Sequence, residues 1–131
     1  QVLGEQHPDF AQSLNNLAGL YSAAGRYEQA EPLFQQALEI RRQVLGEQHP
    51  DFADSLNDLA ALYLATGRYE QAEPLYQQAL EIRRQVLGEQ HPDLASSLNN
   101  LAFLYDATGR SEQAERLYQQ ALEIRRQVLG E

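Results

Sequence analysis

QVLGEQHPD at residues 43–51 occurs with the same letters at 1–9 and 85–93, and its first five letters return at 127–131. The copies begin at residues 1, 43 and 85, so the repeated unit is 42 residues long. A fixed period of this length is typical of supersecondary units that stack, because one such unit cannot bury its own apolar face. We predict a single domain over 1–131. Its repeats span 1–42, 43–84 and 85–126, and 127–131 begin a further linker.

Each unit carries start and stop residues for two helices. Pro8 suits the first helical position and Asp9 the first turn, while His7 before the proline is held in the extended conformation of an N-cap. Gly25 is placed to end the first helix, and the second should run from about Tyr27 to Leu45. Apolar residues follow a helical period in both. The predicted core residues are Phe10, Leu14, Leu17, Ala18 and Tyr21 on the first helix and Ala30, Leu33, Phe34, Ala37, Leu38 and Val44 on the second.

Composition excludes several classes of function. Nineteen acidic residues against ten basic ones give a net charge of -9, which disfavours nucleic acids and anionic membranes as partners. There is no cysteine and no apolar run of the ~20 residues that a membrane-spanning helix needs. We expect a cytoplasmic protein. The chain lacks methionine and begins and ends inside the repeated motif, which we interpret as a segment of a longer or engineered array.

The histidines raise the question of a metal or catalytic site. His7, His49 and His91 occur once per unit, and units stack roughly 10 Å apart, so no two of them should reach one ion. Neither cysteines nor clustered carboxylates complete a ligand set, and the glycines are single rather than grouped in a phosphate-binding loop. We interpret the histidines as N-cap positions and expect no enzyme activity, no cofactor and no metal.

The spacing of large and small apolar residues resembles the tetratricopeptide repeat. The residues that carry the resemblance are Leu14, Leu17, Ala18, Tyr21, Ala30, Phe34 and Ala37, with leucine where the family usually has tryptophan. The extra length over the usual 34-residue repeat lies between Ala37 and Pro50 and should lengthen the second helix by roughly two turns. The unit is similar to those of kinesin light chains and bacterial tetratricopeptide arrays. The resemblance implies an all-α, right-handed superhelix (solenoid) of three helix–turn–helix units.

Differences between the units are concentrated on one stripe of the first helix. The varying positions are Gln12/Asp54/Ser96, Asn16/Asp58/Asn100, Gly19/Ala61/Phe103 and Ser22/Leu64/Asp106. They cover an arc of about 120° opposite the predicted core. Drift on a solvated surface is one interpretation. The exposed face of the second helix is nearly constant, however, so we favour a binding surface.

The family resemblance implies the same location, because in tetratricopeptide proteins the first helices line a concave groove that holds peptides. It also implies that Asn15, Asn57 and Asn99 hold the main chain of the ligand, since an amide offers both a donor and an acceptor. The stripe carries Asp54, Asp58 and Asp106 but no lysine or arginine, which predicts a neutral or basic peptide. Leu64 and Phe103, on adjacent units, are expected to form a pocket for one apolar side chain.

Two alternatives remain open at this point. The terminal units should expose apolar surface that a neighbour would cover, so the chain is also a candidate for head-to-tail self-association as a scaffold. The resemblance to bacterial arrays is equally compatible with the sensor part of a larger signalling protein.

Overall fold

The computed structural model describes residues 7–130 and places six helices and no strand in that range. The start of the first predicted unit and the end of the predicted linker at 127–131 therefore lie outside the described residues. The helices are α1 (Pro8–Ala23), α2 (Tyr27–Leu45), α3 (Pro50–Ala65), α4 (Tyr69–Leu87), α5 (Pro92–Ala107) and α6 (Ser111–Val128). None of them is both long enough and apolar enough to cross a membrane.

The first helix of every unit begins in the same way. His7 is the N-cap of α1, and its Nδ1 accepts a hydrogen bond of 3.0 Å from the backbone N–H of Asp9. His49 and His91 do the same for α3 and α5. The interpretation of the histidines as N-caps is confirmed. The predicted stop at Gly25 is confirmed as well, because this residue has a φ of 80° just after α1 ends.

Consecutive helices pack against each other along the whole chain, first within a unit and then across the junction to the next. Alanines with no exposed surface, such as Ala18 and Ala30, allow close approach where the helices meet. The largest cluster of buried residues contains side chains of all three units. The prediction of an all-α repeat solenoid is confirmed.

The core differs from the prediction in three ways. Val44 is 43% exposed, whereas Ile40, which the prediction omitted, is 5% exposed. Leu62 was also missed and is 1% exposed. Leu17, predicted as core, is 41% exposed because no helix of the described chain precedes α1, while its counterpart Leu59 is 4% exposed.

Candidate binding groove

A cavity of about 560 Å³ runs across the first helices of the three units. It brings together nine of the fifteen predicted groove residues, namely Gln12, Asn15, Asn16, Gly19, Asp54, Asn57, Asp58, Ser96 and Asn100. Three residues that the prediction did not include also line it, and they are Phe34, Arg41 and Arg83. Part of the varying stripe of α1, α3 and α5 therefore lies in one cavity, to which the second helices contribute.

Six predicted groove residues do not line this cavity, and they are Ser22, Ala61, Leu64, Asn99, Phe103 and Asp106. Leu64 is half-buried against the main core, and Phe103 stands out at 55% exposure. The expected pocket between these two side chains is thus not part of the cavity. Asp106 lines a separate hollow along the first part of α6, together with Tyr118 and Leu122.

Arg41 ties neighbouring units together at the bottom of the groove. It is 4% exposed, and its Nη1 donates to the carbonyl oxygen of Asp51 at 3.2 Å and to Ser55 Oγ at 3.0 Å. Its Nη2 donates to Gln12 Oε1 at 2.8 Å. A charge this deeply buried is stable only when acceptors surround it, and here the acceptors come from two units.

Arg83 repeats this arrangement one unit later. Its guanidinium donates to the Asp93 carbonyl, to Ser97 Oγ and, at 2.6 Å, to Asp54 Oδ1. The stripe of the first helices itself has no lysine or arginine, but the second helices bring Arg41 and Arg83 to the groove. Because Gln12 and Asp54 are hydrogen-bonded to these arginines, neither is free to meet a ligand in the way that the sequence suggested.

A sequence pattern could have revealed the arginines. Arg41 follows Ala30, Phe34 and Ala37 at helical spacing, so it continues the buried face of α2 and does not point to solvent at the helix end. Its position near the end of the helix is also one that the helix dipole favours for any cation, so position alone does not reveal that it is buried. The long side chain then reaches from that face into the groove.

Two buried amides in the groove have unsatisfied atoms. Neither Nδ2 nor Oδ1 of Asn57 has a hydrogen-bond partner within residues 7–130, although the residue is 9% exposed. Oδ1 of Asn15 is in the same situation at 8% exposure. A buried amide without partners costs roughly 1–3 kcal/mol per group, so these side chains are prepared for a donor and an acceptor supplied from outside.

Asp58 is the acidic group at the centre of the groove. Burial, followed by the nearby charge of Asp54, raises the pKa of Asp58 from 3.8 to about 6, whereas Arg41 and Arg83 act in the opposite direction. Units one and three have asparagine at the same position, Asn16 and Asn100. The middle unit therefore places a carboxyl group where its neighbours place neutral amides.

The described residues do not gather the side chains that a metal site would need. Residues 7–130 contain no group of three or more histidines, cysteines or carboxylates close enough to hold an ion. The groove offers amides, two arginines already held by protein acceptors, the Asp54 carboxylate that pairs with one of them, and the carboxyl group of Asp58. Such a surface can bind through hydrogen bonds and charge.

Comparison with known proteins gives consistent matches. A sequence profile described as tetratricopeptide repeat matches residues 9–85 and, again, 51–127. BtubC (BKLC) from P. vanneervenii superposes with a TM-score of 0.89 at 31% identity, over 97% of this chain and 51% of that one. A putative kinesin light chain from P. anserina, with nearly identical TPR-like repeats, superposes with a TM-score of 0.82 at 31% identity, over 90% of this chain and 56% of that one. The TPR domain of Arabidopsis FLU shares the fold, with a TM-score of 0.74 at 18% identity over 86% and 92%.

The chain spans about half the length of the first two of these proteins. Comparison with the curated proteins gives no match.

Proposed function

Because this chain belongs to the tetratricopeptide repeat family, whose repeats are in general modules of protein–protein interaction, we propose that it binds an extended protein segment in the groove of α1, α3 and α5. The binding is non-catalytic. The observation that carries the proposal is the carboxamide of Asn57, which is buried in the groove wall with both polar ends unpaired within the described residues.

The main chain of an extended peptide fits this amide. A peptide group has one N–H and one C=O, and the side chain of Asn57 presents the complementary acceptor and donor. Asn15 adds an unpaired acceptor one unit away. This contact is independent of the ligand's sequence and supplies general affinity. Asn99 belongs to the same series in the sequence but does not line the cavity, so the ladder has two members in the groove.

Selectivity comes from Asp58. Arg41 and Arg83 are held by acceptors of the protein itself, whereas Asp58 accepts no hydrogen bond from the described residues. A lysine or arginine of the ligand that reaches Asp58 would pair with its ionised form and offset the cost of burying it. We therefore propose that the ligand carries a basic side chain at the position that meets the middle unit.

The test begins with peptides selected from a display library on the chain at pH 7.5. Their affinities are then measured by calorimetry for the wild type, Asn57→Ala and the matched control Asn99→Ala. We expect Asn57→Ala to weaken binding by roughly 5- to 100-fold, as expected for the loss of hydrogen bonds worth about 1–3 kcal/mol, with little change for Asn99→Ala. Thermal melting checks that both variants fold.

Charge is tested on the same peptides. Replacing the basic residue of the peptide by alanine should remove the difference in peptide affinity between the wild type and Asp58→Asn. Binding to the wild type should weaken as the pH falls below about 6, because Asp58 must lose its proton to pair with the ligand. Selected peptides that are acidic and bind Asp58→Asn more tightly than the wild type would refute the proposal that the ligand carries a basic side chain. Unchanged affinity of the peptides for a folded Asn57→Ala variant would refute the proposal that they bind in the groove.

A further inference from the structure

The two buried arginines of the groove differ in the partner that the first helix of their own unit supplies. Arg41 Nη2 donates to Gln12 Oε1 at 2.8 Å, and Arg83 Nη2 donates to Asp54 Oδ1 at 2.6 Å. Gln12 and Asp54 occupy the same position in consecutive units. The first unit therefore gives its arginine a neutral amide where the middle unit gives a carboxylate.

The other acceptors of Arg41 are neutral as well. Its Nη1 donates to the carbonyl oxygen of Asp51 and to Ser55 Oγ, and no carboxylate of residues 7–130 forms an ion pair with its guanidinium. Arg41 is almost fully buried. A cation removed from water is stabilised more by a carboxylate than by neutral acceptors, so the charge of Arg41 is incompletely balanced.

The cavity holds these two arrangements one unit apart. We define the first subsite as an arginine and two residues of α1, namely Arg41, Gln12 and Asn16. The middle subsite consists of the equivalent residues one unit later, namely Arg83, Asp54 and Asp58. The first subsite has one cation and no carboxyl group, whereas the middle subsite has one cation and two carboxyl groups. Neighbouring parts of one groove therefore carry opposite charge when these carboxyl groups are ionised.

The amide of Gln12 is able to give way to a ligand. Gln12 is exposed, and its Nε2 donates at 2.9 Å to Oδ1 of Asn16, which is exposed too. Turning this side chain into solvent would uncover Arg41 Nη2 on the side where the next unit places Asp54. Hydrogen bonds to an ionised acceptor are roughly twice as strong as those between neutral groups, so a ligand carboxylate would replace the amide with a gain.

We infer that the peptide in the groove carries an acidic side chain that pairs with Arg41, close in its sequence to the basic side chain that pairs with Asp58. The inference rests on the proposed function, because it concerns the same ligand in the same groove. Units stack roughly 10 Å apart and an extended chain advances about 3.3 Å per residue. The two charged side chains therefore lie about three residues apart in the peptide.

The two charges of the ligand support each other. Burial and the charge of Asp54 raise the pKa of Asp58, while Arg41 and Arg83 lower it, so Asp58 shares in balancing both arginines. When a basic side chain of the ligand pairs with Asp58, this carboxylate balances Arg41 less. The acidic side chain of the ligand then supplies the missing charge, and removing either ligand charge should also reduce the contribution of the other.

The test uses the peptides selected from the display library and measures their affinities by calorimetry at pH 7.5. The selected peptides should contain Asp or Glu about three residues from the basic residue. Replacing that acid by its amide should weaken binding to the wild type roughly 10-fold, because a hydrogen bond to a charged group is worth more than one to a neutral group. Gln12→Asp gives Arg41 a carboxylate of its own, so this variant should bind the acid and amide peptides equally well.

Ser22→Asp is the matched control. It adds the same charge to α1 at a position that does not line the cavity, and it copies Asp106 of the third unit, just as Gln12→Asp copies Asp54 of the second. The control variant should keep the wild-type preference for the acid peptide. Thermal melting checks that both variants fold. An equal loss of this preference in both variants would overturn the inference, since general charge repulsion would then explain it.

Two further outcomes separate this inference from the proposed function. Equal binding of the acid and amide peptides to the wild type, while Asn57→Ala still weakens binding, would overturn the acidic contact and leave the groove in place. The same holds for selected peptides with no acid near the basic residue. Unchanged peptide affinity for a folded Asn57→Ala variant would overturn both.

Discussion

The carboxyl group of Asp58 is the residue whose chemistry departs most from that of its counterparts in the other units. It is half-buried, its pKa is raised to about 6, and asparagine stands at both equivalent positions. A group that is costly to ionise in the folded state reduces stability once the pH is high enough to ionise it. This cost is consistent with a residue kept for recognition and not for folding.

Asp58→Asn should therefore stabilise the chain at neutral pH. The folded pKa lies above the unfolded value of 3.8, so the folded state holds the proton more tightly, and stability falls as the pH rises from about 4 to about 6. We expect a gain on the order of 1–2 kcal/mol at pH 7, since one pKa unit corresponds to about 1.4 kcal/mol and solvent screens part of it. The gain should disappear below pH 4.

Urea unfolding of both chains at several pH values measures this difference, and the carboxylates common to both cancel in it. The contrary result would be a variant that is less stable than the wild type at pH 7, which would make the Asp58 carboxylate a stabilising group.

The constant face of the second helix shows what the sequence alone could not decide. Its invariance favours a binding role for the varying stripe, because drift on solvated surfaces should change both faces. In the structure Glu31 and Gln35 contact Arg68 and Tyr63 of the next unit, so part of that face is constant because the junction needs it. Contacts between residues 28 or 37 positions apart do not appear in a helical period and become visible only when the units are stacked.

At the scale of the helices, the sequence was a reliable guide. The bounds of α2, the stop at Gly25 and the histidine caps follow from local rules, because capping and glycine conformation depend on residues close in the chain. The exposed fraction of a helix face depends instead on whether a neighbour exists, which is why Leu17 and Leu20 differ from their internal counterparts.

The cap of α3 gives a prediction at this scale. His49→Ala removes the acceptor of the Asp51 N–H and should cost about 1 kcal/mol, within a range of roughly 0.5–2. His49→Asn keeps a capping acceptor and should cost much less. Denaturant unfolding compares the three chains. Equal losses for both variants would mean that the imidazole contributes by packing and that the hydrogen bond to Asp51 is secondary.

At the scale of the whole molecule, stability should grow with the number of units. Each helix packs mainly against its neighbours in the chain, so the free energy of unfolding is close to a sum of units and junctions. Inserting a further copy of residues 43–84 between Arg84 and Gln85 adds one of each. The slope of the denaturant transition should rise by about a third, because it scales with the surface exposed on unfolding, and the midpoint should rise too.

The same insertion with Glu73→Arg in the added copy is the control, since it places two arginines opposite each other at one junction. It should lose part of the gain in midpoint. A longer chain that melts in two separate transitions would contradict the additive description.

Because the two junctions have the same polar contacts, the number of repeats encoded by the gene can change without altering how the units pack. One unit can follow another with the same polar contacts, because the polar residues that join the units recur at both junctions. Recombination between misaligned copies in the gene would then lose or gain whole units and still encode a protein that folds. Selection would act on the length of the array and on the few groove residues that distinguish one unit from another.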